Sequence, residues 1–290
     1  MENAIRRRLI SDGELCNLLS KYRNEPAIFY QKAPADTDSP EIFYPCIILT
    51  VDKFFDAQKG IAGVLNVEII CSQDSNQPEE LERLIRKRLE GIFFRATDGE
   101  IFSVKWQRTD VFTEPASERT ALIIGAEMAF ELYEFPLVET GTPDPVQALN
   151  NWARRFDLMI IGVDDFGEIF EPTRDKPGIY FDVQKLKLTE QKSAAVFQDV
   201  TINLHLFAPD VRSRREWLAT LNQDMLLCGT IPLDDGSPLR LQDAEYLWSA
   251  NEIAGQIQFK FNYGILRPDL YAHPIKFRYE SHDSKIKYLR

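Results

Sequence analysis

One pattern of strands and helices occurs twice along this chain. Residues 40–51 form an apolar run that residues 177–188 echo, and in each copy a loop, a second apolar strand, a charged amphipathic helix and a closing strand follow. Each copy has enough strands, together with its helix, to bury an apolar face of its own. The sequence therefore predicts an α+β fold with two tandem copies of a small, mostly antiparallel sheet packed against helices.

A single offset along the chain aligns apolar residues of the two copies. The aligned pairs are Leu65 with Ile202, Val67 with Leu204, Ile69 with Leu206, Leu81 with Leu218, Leu84 with Leu221 and Leu89 with Leu226. The closing strands agree as well, with Met128, Phe130 and Leu132 against Ile257, Phe259 and Phe261. At the same offset, residues 42–51 are the counterpart of residues 179–188. Such self-similarity indicates a duplication; convergent patterning of two α+β units is the alternative.

A proline-rich segment marks the boundary between the copies. Residues 136–145 contain three prolines and one glycine and have no apolar periodicity. Asp144 and Pro145 are the residue types of a helix N-cap and a first helical position, so a helix is predicted to begin there. The predicted organisation is a first domain at residues 1–136, a linker at 137–145, a second, similar domain at 146–266 and a C-terminal extension at 267–290.

Local signals predict the helices and strands. An N-terminal helix is expected to break at residues 11–13 and to be followed by a short second helical turn. Pro78, with acidic residues behind it, predicts a helix start, and Gly91 predicts its end. A short strand is expected over residues 27–30, and another over residues 157–163 in the second copy.

Composition and charge restrict the functions that fit. The chain has 290 residues, 44% of them hydrophobic, and a net charge of −11. A broad nucleic-acid-binding face is disfavoured, because such a face needs lysine and arginine to neutralise phosphates. No apolar run reaches the roughly 20 residues that span a bilayer, and no signal-peptide core follows the N-terminus. We therefore expect no membrane span, and folding in a cytoplasm.

The four cysteines give no sign of a metal or redox site. Cys16, Cys46, Cys71 and Cys228 are far apart, and no pair has the spacing of such a site. Cys46 and Cys71 fall in apolar runs, so buried free thiols are expected. A structural disulfide is the alternative.

Few residues invite a catalytic interpretation. His205 alternates with apolar neighbours and is expected on the exposed face of a strand, whereas His273 and His282 lie in a polar tail. The aspartates at 164–165 and 234–235 stand beside turn-forming residues and are expected to stabilise turns, with a metal site as the alternative. No phosphate-binding loop or serine-nucleophile motif occurs. We predict no catalytic, cofactor-binding or metal-binding residue, and no cofactor.

Two basic segments are candidates for contacts with partners. Arg212, Arg214 and Arg215 stand at the start of the second copy's helix, where they suit either an acidic surface on a neighbouring subunit or simple solvation. The segment after Gly264 mixes aromatic and basic residues. It is either a docking arm or a tail that frays or packs on its own domain.

Several short segments of the first copy carry a resemblance to a known family. They are Gln31-Lys-Ala-Pro34, Tyr44-Pro-Cys-Ile-Ile48, Ile69-Ile-Cys-Ser72, and a glutamate-rich helix at residues 79–90 ending in Leu89-Glu-Gly91. In this order after an N-terminal helix, they resemble the phage tail terminator or tail-completion family. The resemblance covers about residues 1–135. The second half, from Asp144, resembles a further copy, whereas members of the family are usually a single domain.

The resemblance implies a structural, non-catalytic role in a virion tail. It implies a ring, often hexameric, that caps the tail tube and joins it to the head or neck, with DNA passing through the lumen. The implied partners are further copies of the chain, the tube protein, a neck or connector protein and, in contractile tails, the sheath protein. No membrane and no sequence-specific nucleic acid are implied. Assembly is expected in the host cytoplasm.

Two other functions remain open at this point. One is a baseplate or neck connector, or a stabiliser of the sheath end in a contractile particle, built on a similar fold. The other is a metal-dependent hydrolase that uses the paired aspartates, which would need a carboxylate cluster around a metal ion.

Overall fold

A computed structural model gives the fold of residues 1–33, 44–56, 60–72, 78–115, 122–247 and 251–267, and the backbone of two short strands in the C-terminal extension. The predicted positions at Pro34, 40–43, His273 and His282 lie outside these described residues. Within them the fold is α+β in two similar halves, as the sequence predicts.

The first half combines helices with one large sheet. Its helices are α1 (Glu2–Ile10), α2 (Gly13–Leu18) and α3 (Pro78–Leu89). Its strands are β1 (Lys21–Tyr22), β2 (Glu25–Pro26), β3 (Ile28–Tyr30), β4 (Cys46–Asp56), β5 (Ile61–Ser72), β6 (Phe93–Arg95), β7 (Ile101–Pro115) and β8 (Leu122–Glu134). The predicted helix break is confirmed, because the Asp12 side chain caps α2 by accepting from the backbone N–H groups of Glu14 and Leu15.

The second half repeats this plan. Its helices are α4 (Pro145–Ala153), a 3₁₀ turn (Arg154–Phe156) and α5 (Val211–Cys228). Its strands are β9 (Met159–Ile160), β10 (Ile169–Phe170), β11 (Gly178–Gln191), β12 (Ala195–Phe207), β13 (Thr230–Pro232), β14 (Pro238–Tyr246) and β15 (Ile257–Leu266), and the extension adds the pair β16 (Lys276–Arg278) and β17 (Lys287–Leu289). Helix α4 begins at Pro145 with Asp144 as its N-cap, as predicted.

The two sheets have the same topology. In the first half the strand order is β3-β4-β5-β8-β7-β6, and in the second it is β9-β11-β12-β15-β14-β13. In both sheets the first pair is parallel and every other pair is antiparallel. The long helix of each half occupies the same place in the chain, between the third strand of its sheet and the edge strand that ends the order. The halves are therefore equivalent strand by strand.

Strand pairing fixes which residues correspond. Leu65 pairs with Phe130 in the first sheet and Ile202 pairs with Phe259 in the second, so the predicted match of the closing strands is correct. The predicted match of residues 42–51 with 179–188 is wrong. Ile47 pairs with Ile69 and Ile179 pairs with Leu206, which makes Ile47 the counterpart of Ile179. The run of apolar residues before and within β4 carries no strict alternation, and without alternation the register is weakly specified.

The helix match holds only in part. Leu81 and Leu84 are buried, as are Leu218 and Leu221. Leu226, however, is 55% exposed, and Met225 occupies the buried position instead. Buried residues of a helix recur every three or four positions. A fixed sequence offset therefore fails to align the buried residues of two helices when one spacing is three and the other is four.

The predicted strand at residues 157–163 is also shorter in the structure. Only β9 pairs with β11, because Gly162 has a φ of 87° and the chain turns there. The backbone oxygen of Ile160 accepts from the N–H groups of Val163 and Asp164, which closes this turn.

Each half has its own hydrophobic core, and a third apolar cluster lies between the halves. In the first core, helices α1 to α3 cover β4, β5 and β8; in the second, α4 and α5 cover β11, β12 and β15. The third cluster joins residues of both halves, among them Phe93, Phe135, Tyr180 and Phe207. This third cluster forms the junction between the two halves.

Candidate functional site

The junction between the halves is a strand addition. Strand β10, which lies between β9 and β11 in the chain, pairs antiparallel with β6 and so extends the sheet of the first half. Ile169 lies opposite Phe94 and Phe170 opposite Phe93, and the Arg95 N–H donates to the Glu168 oxygen over 2.9 Å. An edge strand presents unpaired N–H and C=O groups, and β10 satisfies those of β6.

Charged side chains hold the arm, by which we mean residues 168–171, beside helix α1. Arg7 forms an ion pair with Glu168, and Arg8 forms one with Glu171 at 3.0 Å. Arg95 donates from Nε to the Gly167 oxygen over 3.1 Å. The acidic side chains of the arm thus lie against arginines of α1, and this charge complementarity supports the antiparallel pairing of β10 with β6.

Aromatic rings fill the space beneath the arm. The Phe93 ring is 1% exposed and makes edge-to-face contacts with Phe135 and Phe207, with centroids 5.1 Å and 4.8 Å away. Phe135 makes a further edge-to-face contact with Tyr180 at 5.3 Å. Such pairs contribute roughly 0.5–1.5 kcal/mol each beyond the area they bury. The two halves are thus joined by a buried aromatic contact as well as by the strand.

His205 lies inside this junction, and its predicted place on an exposed strand face is wrong. The residue is 6% exposed, and its Nδ1 donates to the Glu252 oxygen 2.9 Å away. Its Nε2 has no hydrogen-bond partner among the described residues. Burial lowers the pKa of His205, so the ring is neutral at pH 7. The alternation within β12 indicates that the strand has two faces, but it does not indicate that Glu252 and Tyr180 lie against His205 on the second face.

A cavity of about 400 Å³ adjoins His205. It is lined by side chains of both halves, including Tyr133, Phe135, Tyr180 and Ile253. Burial raises the pKa values of the Tyr133 and Tyr180 hydroxyls, which remain protonated at neutral pH. The Tyr180 hydroxyl donates to the Pro136 oxygen over 3.1 Å, and the Tyr133 hydroxyl donates to Glu131. The Tyr180 hydroxyl therefore ties the second sheet to the connecting segment, whereas the Tyr133 bond stays within β8.

The paired aspartates stabilise turns, as predicted. Asp164 accepts from the Ile160 N–H at 2.9 Å, and Asp165 accepts from the Gly167 N–H at 3.1 Å. Asp235 accepts from the Ser237 N–H at 2.8 Å. In the part of the chain that the structure describes, no group of three or more histidines, cysteines, aspartates and glutamates is placed to hold a metal ion.

The cysteines are free thiols, as predicted. Cys46 and Cys71 are buried, Cys16 is half-buried and Cys228 is exposed. Burial raises the pKa of the Cys46 thiol to about 12, so this group stays protonated and packs as a small apolar side chain.

Basic side chains of α3 lie in one cleft with Arg214 of the cluster predicted at the start of α5. A space of about 660 Å³ separates α3 from the start of α5 and is lined by Arg83, Arg86, Lys87 and Arg214, with Glu82, Glu90 and Glu252 between them. Arg214 forms an ion pair with Glu252, and Arg86 pairs with Glu90 at 3.0 Å. Positive and negative side chains alternate, so the cleft is not a simple basic surface.

The other arginines of the predicted cluster have different surroundings. Arg212 pairs with Glu216 at 2.9 Å on the exposed face of α5, and Arg215 is exposed. Arg214 instead anchors the segment that carries Glu252, which also contacts His205. The three arginines therefore do not act as one unit.

Comparison with known proteins gives no family assignment, since no protein-family model and no curated protein matches this sequence. Among the described residues, no helix is both long and apolar enough to cross a membrane.

Proposed function

We propose that this protein is a structural subunit of a phage tail, a tail terminator that forms a ring on the tail tube and joins the tail to the head or neck. In this proposal the chain is not catalytic and needs no cofactor. The ring contacts the tube protein, a neck or connector protein and, in a contractile tail, the sheath protein. The protein is assembled in the host cytoplasm and resides in the virion tail.

The observation that carries the proposal is the strand addition between the halves. Two units of one topology are joined by a strand of one unit on the sheet edge of the other. A ring needs such a heterologous contact, in which one face of a unit meets a different face of the next. The fold unit of this chain is thus suited to assembly by its edges.

The segments that resemble the terminator family occupy framework positions in the first half. The segment from Tyr44 leads into β4, the strand next to the edge strand β3, the segment ending at Ser72 closes β5, and the glutamate-rich helix is α3. The order of these elements along the chain, after the N-terminal helix, is one support for the proposal. The net charge of −11 also suits a ring whose lumen DNA passes without binding.

Electron microscopy of particles from a strain lacking the gene tests the proposal. Separate heads, together with tails of irregular length, are expected, because a tube without its terminator neither stops at a fixed length nor joins a head. Joined particles of normal tail length would contradict the proposal. Normal tail tubes on malformed baseplates would instead favour the connector alternative.

A further inference from the structure

The cavity beside His205 lies where side chains of the two halves meet. Its volume of about 400 Å³ is within the range of small-molecule sites. Tyr133 and Glu134 of β8 line it together with Tyr180 and Asp182 of β11. The proposed function gives this cavity no role, so its chemistry is a separate question.

Every side-chain proton donor among the described residues that line the cavity is already engaged. The Tyr133 hydroxyl donates to Glu131, and the Tyr180 hydroxyl donates to a backbone oxygen of the connecting segment. The Nδ1 of His205 donates to the Glu252 oxygen. The side chains therefore offer a ligand hydrogen-bond acceptors but no free donor.

His205 contributes one of these acceptors. Because Nδ1 carries the proton, the neutral ring has a lone pair on Nε2. This buried atom has no hydrogen-bond partner among the described residues, whereas buried polar atoms normally have one. Nε2 is closed to solvent in this structure, so a ligand N–H group reaches it only after a small shift of the ring. Asp182 is therefore the better primary contact.

Asp182 gives the cavity a negative charge. Its carboxylate accepts from the neutral amide of Gln184 at 2.5 Å. Burial and then the charge of Asp182 raise the pKa of the Tyr180 hydroxyl. Burial lowers the pKa of His205, while the hydrogen bond with Glu252 and the charge of Asp182 oppose this shift. The Asp182 charge is thus close to both rings.

The second carboxylate of the cavity, Glu134, already has a cationic partner. It forms an ion pair with Lys53 at 3.3 Å, and Lys53 also pairs with Glu100 at 2.9 Å. Within the described part of the chain, Asp182 is consequently the one carboxylate of the lining that has no lysine or arginine as a partner.

These groups disfavour two classes of ligand and favour a third. No lysine or arginine among the described residues lines the cavity, so an anion would find no opposite charge. The described histidines, cysteines and carboxylates also form no group that could hold a metal ion. A cation that brings its own N–H donors suits both the carboxylate of Asp182 and the remaining acceptors.

The aromatic rings of the cavity favour the same kind of ligand. Phe135 and Tyr180 contact each other edge to face and both line the cavity. Phe55, whose side chain is 79% exposed, lines it as well, so an aromatic ring lies where the cavity meets solvent. The faces of such rings attract cations, and their apolar area shelters an alkyl chain.

We propose that this cavity binds an organic cation, an alkylammonium group on a short apolar chain, with Asp182 as its counter-ion. The ammonium group donates to the Asp182 carboxylate, and the chain packs against Phe135, Tyr180 and Ile253. Since side chains of both halves line the site, the bound cation stabilises the junction between them. This inference is independent of the tail-terminator role.

Isothermal titration calorimetry of the purified full-length protein with hexylamine, at neutral pH where the amine is charged, tests the proposal. Saturable, one-to-one binding is expected. Hexanol and hexanoate have the same chain with no charge and with the opposite charge. Both are expected to bind at least about tenfold more weakly, since they lose a charge-assisted hydrogen bond. No saturable binding of hexylamine, or equal binding of hexanol or hexanoate, would overturn the proposal.

Variants assign the counter-ion. Asp182→Asn removes the charge while keeping the shape of the side chain, and it is expected to weaken hexylamine binding at least about tenfold. Glu190→Gln removes a charge from the exposed end of the same strand and should bind like the wild type. Circular dichroism must show both variants folded. If Asp182→Asn is not folded, Ala62→Leu, which narrows the cavity, replaces it with the same expected loss. Undiminished binding by the folded variant would contradict the proposal.

Nuclear magnetic resonance of the imidazole groups shows where the cation binds. The signals of His205 are identified by their absence in His205→Gln. Hexylamine is expected to shift these signals in the wild type and to leave them unchanged in Asp182→Asn at the same concentration. Binding that leaves the His205 signals of the wild type unchanged would place the cation elsewhere and reject this site.

Alkylammonium groups occur both in free amines and in the lysine side chains of other proteins. Lysine that is acetylated at its α-amine and amidated at its carboxyl group distinguishes these two sources. Weaker binding of this blocked lysine than of hexylamine assigns the site to free amines, and tighter binding assigns it to a lysine side chain. Both results support Asp182 as the counter-ion, provided that Asp182→Asn weakens them.

Discussion

The edges of the two sheets show how duplicated units diverge. Phe93 on β6 is buried under the arm, while its counterpart Thr230 on β13 is exposed. Arg95 donates a backbone hydrogen bond to the arm, while its counterpart Pro232 cannot. One edge is committed to the other half of the same chain. The other edge is polar and contains a proline, which is how natural sheets limit uncontrolled pairing. The two sheets therefore share one topology, but their edge strands β6 and β13 have different exposure and hydrogen-bonding capacity.

The outer faces of the sheets differ for the same reason. Residues of β5 alternate regularly between buried and half-buried, whereas in β12 every residue from Ile202 to Phe207 is buried. His205 stands where the first sheet has the half-buried Glu68. Residues 252 and 254 of the second half contact His205 and Asn203, and Phe93 and Phe135 of the first half contact Phe207. These contacts, and not the sequence of the strand alone, bury the second face of β12.

The largest expected effect tests whether the committed edge holds the halves together. Phe93→Ala removes a ring that contacts Phe135 and Phe207, and we expect it to lower the free energy of unfolding by about 3–5 kcal/mol. Thr230→Ala, at the counterpart position, should change it by less than about 0.5 kcal/mol. Urea unfolding monitored by circular dichroism measures both. Similar losses from both variants would remove the distinction between the two edges.

The second comparison concerns the two long helices. Met225→Ala on α5 should cost roughly 2–5 kcal/mol because the side chain is buried, whereas Leu226→Ala should cost less than about 0.5 kcal/mol. In α3 the buried residue at the end of the stripe is Leu89, and Leu89→Ala should resemble Met225→Ala. If Leu226→Ala lowered the free energy of unfolding more than Met225→Ala does, Leu226 would be the counterpart of Leu89, and the burial pattern would be contradicted.

The third comparison uses pH. The pKa of His205 in the folded protein is lowered by burial, so between that value and the unfolded pKa near 6.5 the unfolded chain binds a proton that the folded chain does not. Stability should therefore fall as pH falls through this range, by at most about 1.4 kcal/mol per pH unit. Urea midpoints at a series of pH values measure the slope.

The control for this experiment is His205→Gln, which cannot take up the proton. The difference in unfolding free energy between wild type and variant should then vary with pH below about 6.5 and be constant above it. A difference that stays constant throughout would mean that His205 titrates alike in both states. Glu252 and Asp182 both act on His205 and are unchanged in the variant.

Sequence patterns were sufficient for much of the fold because strands and helices bury their apolar faces periodically. The alternation in β5, β8, β12 and β15 fixed the equivalence of the halves, and Asp144 with Pro145 located the start of α4. The same periodic patterns do not reveal which residues are buried by a segment distant in the chain. Nothing in the alternation around His205 indicates that the segment carrying Glu252 lies against it, and β14 has few buried residues to mark it as a strand.

The junction was harder to predict because its strand is very short. Strand β10 has two residues, too few for any period, and its partner β6 is distant in the chain. The one available signal is a repeated pattern, Glu-Ile-Phe followed by one further residue and a proline, which occurs at residues 41–45 and 168–172. The alignment of residues 40–51 with 177–188 obscured this signal, since it placed the repeat in a different register.

The smallest expected effect separates apolar from charged contributions at the committed edge. Glu171→Gln removes the ion pair with Arg8, in which the Glu171 side chain is 64% exposed, and exposed pairs contribute only about 0.2–1 kcal/mol. The loss should shrink further in high salt, because exposed charges are screened. Urea unfolding at low and high salt measures it, with Glu139→Gln as a control on the connecting segment. A loss above about 2 kcal/mol would mean that charge, rather than the aromatic cluster around Phe93, holds the arm in place.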